Sequence, residues 1–448
     1  MPGSIFREGG AQYYLLKNNK KRLVKLCDYV RISDIRQGCE EPGENGGTMN
    51  LVQKYGGKYL RNMEDLNRIA DHVAEYRSRV DGLVLVMASM HEIAEQTLTR
   101  AETFGEEISR DKLDALFSAS ELQTAALMAC ALEKRGVGAR VIEDIRGQSL
   151  DIVDRYRGKH EIMLDRIEHA FLAGEVAVIP GFQGFGDFGM EDRLGRYGSA
   201  ATAVAIAGGL KCGCELYGNA EGVCVVDPKV SESRTVFPKI SYEEAMELTA
   251  LGETDLEAGA IELAKTLGVE VFVGPAFNEN RIGGTFIVDR SVIVQEAAVS
   301  GISVSDDIVI YTIKDIATSG DAISELFEML GDLSVNVDVI SQQTYSENAC
   351  AVSFSCSGGD IEAIDKAFAG NSRFCNLEVM KKEDICLVSL VGVGMTTHVG
   401  VAGKTFATLA ENGIRHYNIT TSEISISAAI DSDKKNEAVI ALSEAFRL

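Results

Sequence analysis

Short, almost unbroken apolar runs alternate with helix-spaced apolar positions over much of the chain. Residues 49–60 begin with one such run, and 82–88, 137–142 and 176–179 supply others of the kind a strand buried on both faces carries. Between them, Met63, Leu66, Ile69 and Val73 fall on one helical side, 113–132 carries a long apolar helical face, and 161–172 reads as a polar-faced helix. Residues 200–210 form a run of small residues that predicts a buried helix. Short strands follow at 214–217, 222–226 and 269–273, with two helices across 240–267. This alternation predicts an α/β sandwich.

After residue 284 the pattern changes. Strands are expected at 308–313, 334–340 and 350–354, with helices at 321–330 and 361–368. A second round places strands at 385–391, 417–420 and 424–430 and helices at 401–409 and 436–446. Strand-helix-strand-strand-helix-strand is the ferredoxin-like order, and the first round is expected to borrow a strand from elsewhere in the tandem unit. Two such sheets joined edge to edge would remove exposed edges and create a small-molecule cleft. The expected division is an extension and linker at 1–48, a first domain at 49–284 and a regulatory pair at 285–448.

Composition narrows the partners. Lys and Arg number 44 against 67 Asp and Glu, a formal charge of −23 that opposes broad attraction to nucleic acid or an anionic membrane. No uninterrupted apolar run approaches the roughly 20 residues that span a bilayer. The ten cysteines are scattered and mostly in apolar settings, which favours reduced thiols and a cytoplasmic location; the six histidines show no metal-ligand spacing. The expectation is that the protein carries no metal site of its own.

Chemistry concentrates around 181–229. Glycines follow the apolar run 176–179, and the turn LGRYGS leads into the small-residue helix, whose first amides at 199–202 can hold an anion with Arg196 beside them. An ordinary glycine-rich connection explains the glycines alone equally well. Upstream, Lys54 is delivered just before Gly56 and Gly57, where it can neutralise a phosphoryl oxygen, although Walker spacing is absent. Glu121 sits within an apolar helical face, either as a solvated carboxylate or as a partner for an ammonium group. In the later half, Asp338 and Gln342 are candidates for amino-acid recognition, and Met395 and His398 for a loop over the effector. Dimerisation through the sheets is the plainer reading of the same segments.

With KYGGKYL, LFSASELQTAALMA, GFQG, LGRYGSAATAVA, GVCVVDPK and SYEEAMEL in order, followed by VNVDVISQ, VGVGMTTHVGVAGKTFATLAENGI and NITTSEISISAAI, the chain resembles the aspartate kinases across residues 49–448. The resemblance implies an amino-acid kinase-like three-layer sandwich followed by tandem ACT domains. It implies transfer of the ATP γ-phosphoryl group, with Mg2+, to the side-chain carboxylate of L-aspartate. Carried to matching positions, Lys54, Gly56 and Gly57 would contact the transferring group. Glu121 would hold the substrate ammonium, and Arg196 with Ser199 its carboxylates. Asp227, Pro228 and Lys229 would line the nucleotide edge. A homodimer and an amino-acid effector such as lysine or threonine are the expected partners.

Departures from the family pattern fall in the same places. Lys58 and Tyr59 replace a Thr-Ser pair, and Ala200 replaces an acidic residue near the substrate amino group. Asn219 and Cys224 replace an acid and an aromatic ring, while Thr254 and Glu257 stand in place of Lys and His. Lys58 is the candidate to restore the missing phosphate contact. Three activities fit at this point: a divergent aspartate kinase, a kinase for another carboxylate, and a catalytically inactive ACT-containing binding protein.

Overall fold

The computed structural model describes residues 5–8, 11–15, 23–25, 29–31, 49–105, 108–143, 161–181, 198–231, 235–251, 256–278, 281–293, 297–318, 320–337 and 339–448. The chain divides into two compact units: Met1–Val223, Val236–Met246 and Thr254–Val294 form the first, and Cys224–Thr235, Glu247–Glu253 and Gln295–Leu448 the second.

Strands β1 (Ile5–Glu8), β2 (Ala11–Leu15) and β3 (Leu23–Lys25) form a small antiparallel sheet. After β4 (Tyr29–Arg31), the main fold runs β5 (Asn50–Tyr55), α1 (Met63–Tyr76), β6 (Gly82–Met87), α2 (His91–Glu102), α3 (Arg110–Glu133) and β7 (Ala139–Val141). It continues through β8 (Glu161–Met163), α4 (Asp165–Leu172), β9 (Val176–Pro180), α5 (Ser199–Leu210), β10 (Gly213–Tyr217) and β11 (Lys239–Ser241). Then come α6 (Tyr242–Leu251), α7 (Ala258–Leu267), β12 (Val271–Val273) and β13 (Thr285–Val288).

Eight strands make one sheet in the order β11-β13-β12-β10-β5-β6-β9-β7, parallel except where β12 meets β13. Every residue of β6 is buried, because helices cover both faces. On one face Leu51, Tyr55, Leu83, Leu85 and Met87 share a core with Leu66, Ile69 and Val73 of α1 and with Met128 and Leu132 of α3. The Asn62 side chain caps α1 by accepting from the amides of Glu64 and Asp65. The opposite face carries α5, whose residues from Ser199 to Gly208 are all buried. Two of its positions are crowded: a Cβ at Gly208 would stand 2.6 Å from the Leu267 side chain, and one at Gly209 3.1 Å from that of Leu164.

Several expectations shift. Residues 161–172 split into β8 and α4, and β8 pairs with β4, so part of the stretch set apart as an extension joins other structure. The 222–226 run is no regular strand: Val226 makes a single bridge to Ile302. Thr285–Val288, placed beyond the boundary at 284, is a strand of the main sheet because it completes the antiparallel pair with β12. Among the described residues, one helix, Lys112–Glu133, is long and apolar enough to cross a membrane; in the fold, its Ala125, Met128, Ala129, Ala131 and Leu132 join the core beneath the sheet.

The second unit contains β14 (Gly301–Ala317), α8 (Gly320–Asp332), β15 (Ile340–Thr344), β16 (Ala349–Ser357), α9 (Ile361–Gly370) and β17 (Val379–Val391). It ends with α10 (Val401–Glu411), β18 (His416–Thr421), β19 (Ser425–Asp431) and α11 (Lys435–Phe446). These strands form one antiparallel sheet in the order β15-β16-β14-β17-β19-β18. The expected sharing of strands takes a definite form: β14 and β17 are long enough to serve both rounds. Residues of β14 from Ile308 to Ile313 pair with β16, whereas Gly301–Ser305 pair with the far end of β17. Two main cores result, one around Tyr311, Leu326, Phe354 and Phe368, the other around Ile302, Val388, Leu409 and Val439, with a smaller cluster of Ile308, Ile310, Ile385, Leu387 and Ala429. The expected strand at 334–340 begins only at Ile340, since Val335 instead tucks under the end of α8 through its amide bond to Leu330.

Candidate active site

The parallel strands of the first unit end together, and their loops remain tied by backbone bonds. Gly56 N–H donates to Tyr217 O at 3.0 Å, Ala88 N–H to Tyr55 O at 3.0 Å, and Gly181 N–H to Met87 O at 2.9 Å. These bonds gather the ends of β10, β5, β6 and β9 at one corner. Alternation along β5 sends Gln53 and Tyr55 to the α1 face and Lys54 to the α5 face.

Lys54 is half-buried and its Nζ lies 3.3 Å from where a Cβ on Gly56 would sit, so Gly56 leaves room for the ammonium. Among the described residues Lys54 makes no hydrogen bond or ion pair. Gly57 has φ +53°, and a Cβ there would stand 2.3 Å from Asn219 Oδ1, which accepts instead from Lys58 N–H at 2.9 Å. Lys58 Nζ turns to the same neighbour: it donates to Asn219 O at 3.1 Å and pairs with Glu221 Oε1 at 3.0 Å. The side chain proposed to replace a missing phosphate contact is thus engaged with a carboxylate.

Ser199 opens α5 and is buried against Gly181, where a Cβ would come within 2.4 Å of the serine Cβ. Thr202 Oγ1 lies 2.5 Å from Gly181 O and 2.8 Å from Gly198 O, locking the first turn of α5 to the end of β9. Glu121 is half-buried in the same turn of α3 as Ser120 and Thr124. Thr124 Oγ1 accepts from Met90 N–H at 3.0 Å, so this turn supports the loop leaving β6.

A further residue enters the corner from α7. Glu257 is the N-cap of that helix but makes no cap bond to it. The charge of Lys54 and the backbone amides of Ala201 and Ala200 favour its ionised form. Burial pushes its pKa up to about 7, against the lowering pull of Lys54 and of the two amides. Its Oε2 is closed to solvent without a hydrogen-bond partner. The sequence marks Glu257 only as an unexpected residue; its approach to α5 comes from a packing across more than fifty positions. Behind the corner, buried Glu215 accepts from Gln53 Nε2 at 2.7 Å, from Tyr217 Oη at 2.8 Å and from Arg281 Nε at 2.6 Å, a network with no signal in local spacing.

The remaining candidates fall elsewhere. Arg196 and Asp338 lie outside the described residues. Asp227 and Lys229 belong to the second unit, where Asp227 Oδ1 accepts from Lys229 N–H at 2.9 Å and Oδ2 from Val304 N–H at 3.3 Å. Its oxygens therefore hold a turn against β14. Gln342 is exposed on the outermost strand β15, whereas Met395 packs against the core of the other half. His398 Nδ1 lies 2.8 Å from Gly394 O, which fastens the loop after β17.

Comparison with known proteins agrees with this architecture. The amino acid kinase family matches residues 49–274 and the ACT domain matches residues 388–446. An aspartokinase of Bacillus sp. (strain MGA3) is 30% identical over 403 residues, covering 89% of this chain and 97% of that protein. An aspartate kinase of Pseudomonas fluorescens (strain SBW25) is 32% identical over 410 residues with the same coverage, 89% and 97%. The fold of E. coli aspartokinase III, solved in complex with aspartate and ADP, superposes with a TM-score of 0.68 at 20% identity, covering 89% of this chain and 100% of that one. The class is an amino-acid kinase domain joined to ACT domains. Within it, the chain belongs to the aspartate kinase family, whose general activity is phosphotransfer to a carboxylate under ACT-domain regulation.

Proposed function

We propose that the protein transfers the γ-phosphoryl group of ATP to the side-chain carboxylate of L-aspartate, giving 4-phospho-L-aspartate. The observation that carries this reading is the half-buried Lys54 ammonium at the end of a central parallel strand, where its Nζ lies beside Gly56 and Gly218. A carboxylate acceptor is already an anion, so no general base is needed; alignment and offset of the accumulating negative charge are. Lys54 supplies a cation to the transferring group, and Gly56 and Gly57, having no side chains, allow its close approach. Glu121 receives the substrate ammonium, while Arg196 and Ser199 orient its carboxylates. ATP enters with Mg2+ on its phosphates. A cytoplasmic homodimer is the proposed form, checked by sedimentation of the purified chain. Gln342, Met395 and His398 are proposed contributors to amino-acid regulation.

Hydroxylamine trapping of acyl phosphate tests the chemistry. Product specific to L-aspartate is expected, and Lys54→Ala should lower turnover on the order of a hundredfold while leaving the fold intact. Equal turnover would remove Lys54 from the mechanism. Added lysine or threonine should reduce the trapped product if the ACT sheet regulates the kinase. Ala200, which lacks the charge an ammonium would seek, favours a second reading in which another carboxylate is the acceptor; a stronger signal with that acid than with aspartate would establish it.

A further inference from the structure

Away from Lys54, helices α2 and α3 lie side by side and leave a cavity of about 500 Å³ along their contact. The two helices are tied within it: buried Ser120 Oγ donates to Leu116 O at 2.9 Å and lies 3.3 Å from Thr97 Oγ1. The rest of the wall is largely apolar, with Ala101, Ile108, Leu116 and Ala119 on it. Phe104 lines the same cavity and is 93% exposed, so an aromatic ring stands there uncovered by the described chain.

Charge is the second feature. Of the ten residues lining the cavity two are cations, Arg100 and Lys112, and none is acidic, although the chain as a whole carries a formal charge of −23. Lys112 Nζ donates to Ser109 Oγ at 2.6 Å. Arg100 is exposed, and among the described residues its guanidinium makes no hydrogen bond or ion pair. An uncharged groove would accept any apolar body; cations on its wall select one that carries an anion, because charge-assisted hydrogen bonds are the stronger ones.

We propose that this cavity binds a small carboxylate with an apolar aliphatic or aromatic body, its anionic end on Arg100 and Lys112 and its body against Ala101, Leu116 and Phe104. The volume is of the size that small-molecule sites have. Ser120 on its wall precedes Glu121, and Thr124 Oγ1 donates to Ser120 O at 2.8 Å while accepting from Met90 N–H at 3.0 Å. Occupancy therefore bears on the turn of α3 that carries Glu121. Resting on the reading of Glu121 as the contact for the substrate ammonium, a bound ligand shifts KM for L-aspartate and leaves kcat.

Calorimetric titration of the full-length protein with phenylbutyrate, and with phenylbutyramide as its uncharged counterpart, tests the site without reference to catalysis. The acid should bind about tenfold more tightly than the amide, and Arg100→Gln should remove that advantage while leaving the amide as it was. Ala119→Phe, which fills the cavity from an exposed position, should abolish binding of both. Equal affinity for acid and amide would overturn the charge recognition; no binding, or binding unchanged in Ala119→Phe, would overturn the site. A lower sedimentation coefficient for Ala119→Phe, with no probe bound by wild type, would overturn it in favour of a second copy of the chain in the groove. Hydroxylamine trapping across L-aspartate concentrations should show the KM shift when phenylbutyrate is present. An unchanged KM while the acid binds would overturn the link to Glu121. Absence of any acyl phosphate, with the acid still bound, would count against the phosphotransfer reading alone.

Discussion

The carboxyl group of Glu257 holds its proton more tightly in the fold than in an unfolded chain, and that difference has a definite sign. Its pKa rises from 4.5 to about 7 through burial, with Lys54 of β5 and the Ala201 and Ala200 amides of α5 pulling the other way. Between those two values the folded state binds the extra proton, so this group's contribution to stability is full below about pH 4.5 and is lost as pH rises through 7. The loss amounts to at most about 3 kcal/mol, at 1.36 kcal/mol per unit of pKa difference. Glu257→Gln should therefore gain on wild type in urea midpoint between pH 5 and pH 8; a constant gap would show that the carboxyl titrates normally. The position of Lys54 at a strand end was legible because an apolar run there is followed by two glycines. Glu257 was not, because no local pattern reveals that a residue ahead of one helix turns toward the start of another. Nor does spacing reveal that Lys58 pairs with Glu221, or that Asp227 is consumed by two backbone amides.

At the scale of elements, α5 illustrates how composition sets position. Its run of Ala, Gly, Thr and Val was readable as a buried helix, and the reason is steric: the helix lies close enough to α7 that Gly208 has no room for a side chain. Gly208→Val would drive methyl groups into Leu267, already 2.6 Å from the first added carbon, and should cost about 1–3 kcal/mol. Since α5 and α7 carry the two sides of the Lys54 corner, acyl-phosphate formation should fall along with the urea midpoint. A variant with a lowered midpoint but full activity would show that the corner tolerates separation of the two helices. Elements with less periodicity were harder to read. The α2 helix buries only Ile93 and Ala101, leaving no strong apolar stripe, and β13 is a strand of four residues defined by its partner β12. The apolar stretch at 222–226 has strand composition but lacks a continuous partner, so it yields a bridge instead.

In the larger molecule, the ACT sheet behaves as one body because its two long central strands cross both cores. The alternation of the second half was enough to give the order of elements, yet the sharing of β14 and β17 is a property of pairing between residues far apart in sequence, from Ile313 with Val379 to Gly301 with Val391. That sharing has an energetic consequence. Phe354 is fully buried, stacked on Tyr311 at 5.3 Å between ring centroids, and its replacement by alanine should cost about 3–5 kcal/mol. If the halves were independent, only amides around α8, β16 and α9 would lose protection against hydrogen exchange. With β14 running through to Gly301 and β17 through to Val391, opening the first core frees strands that the second core needs. Phe354→Ala should therefore lower protection at Leu390 and Ala428, residues that lie in the other core, by a factor close to that seen at Val352. Loss confined to the Phe354 half would mean that the bulge between Ser305 and Ile308 uncouples the halves. Coupled loss would give an effector bound in either half a physical route to the other, since whatever stabilises one core then stabilises the strands of both.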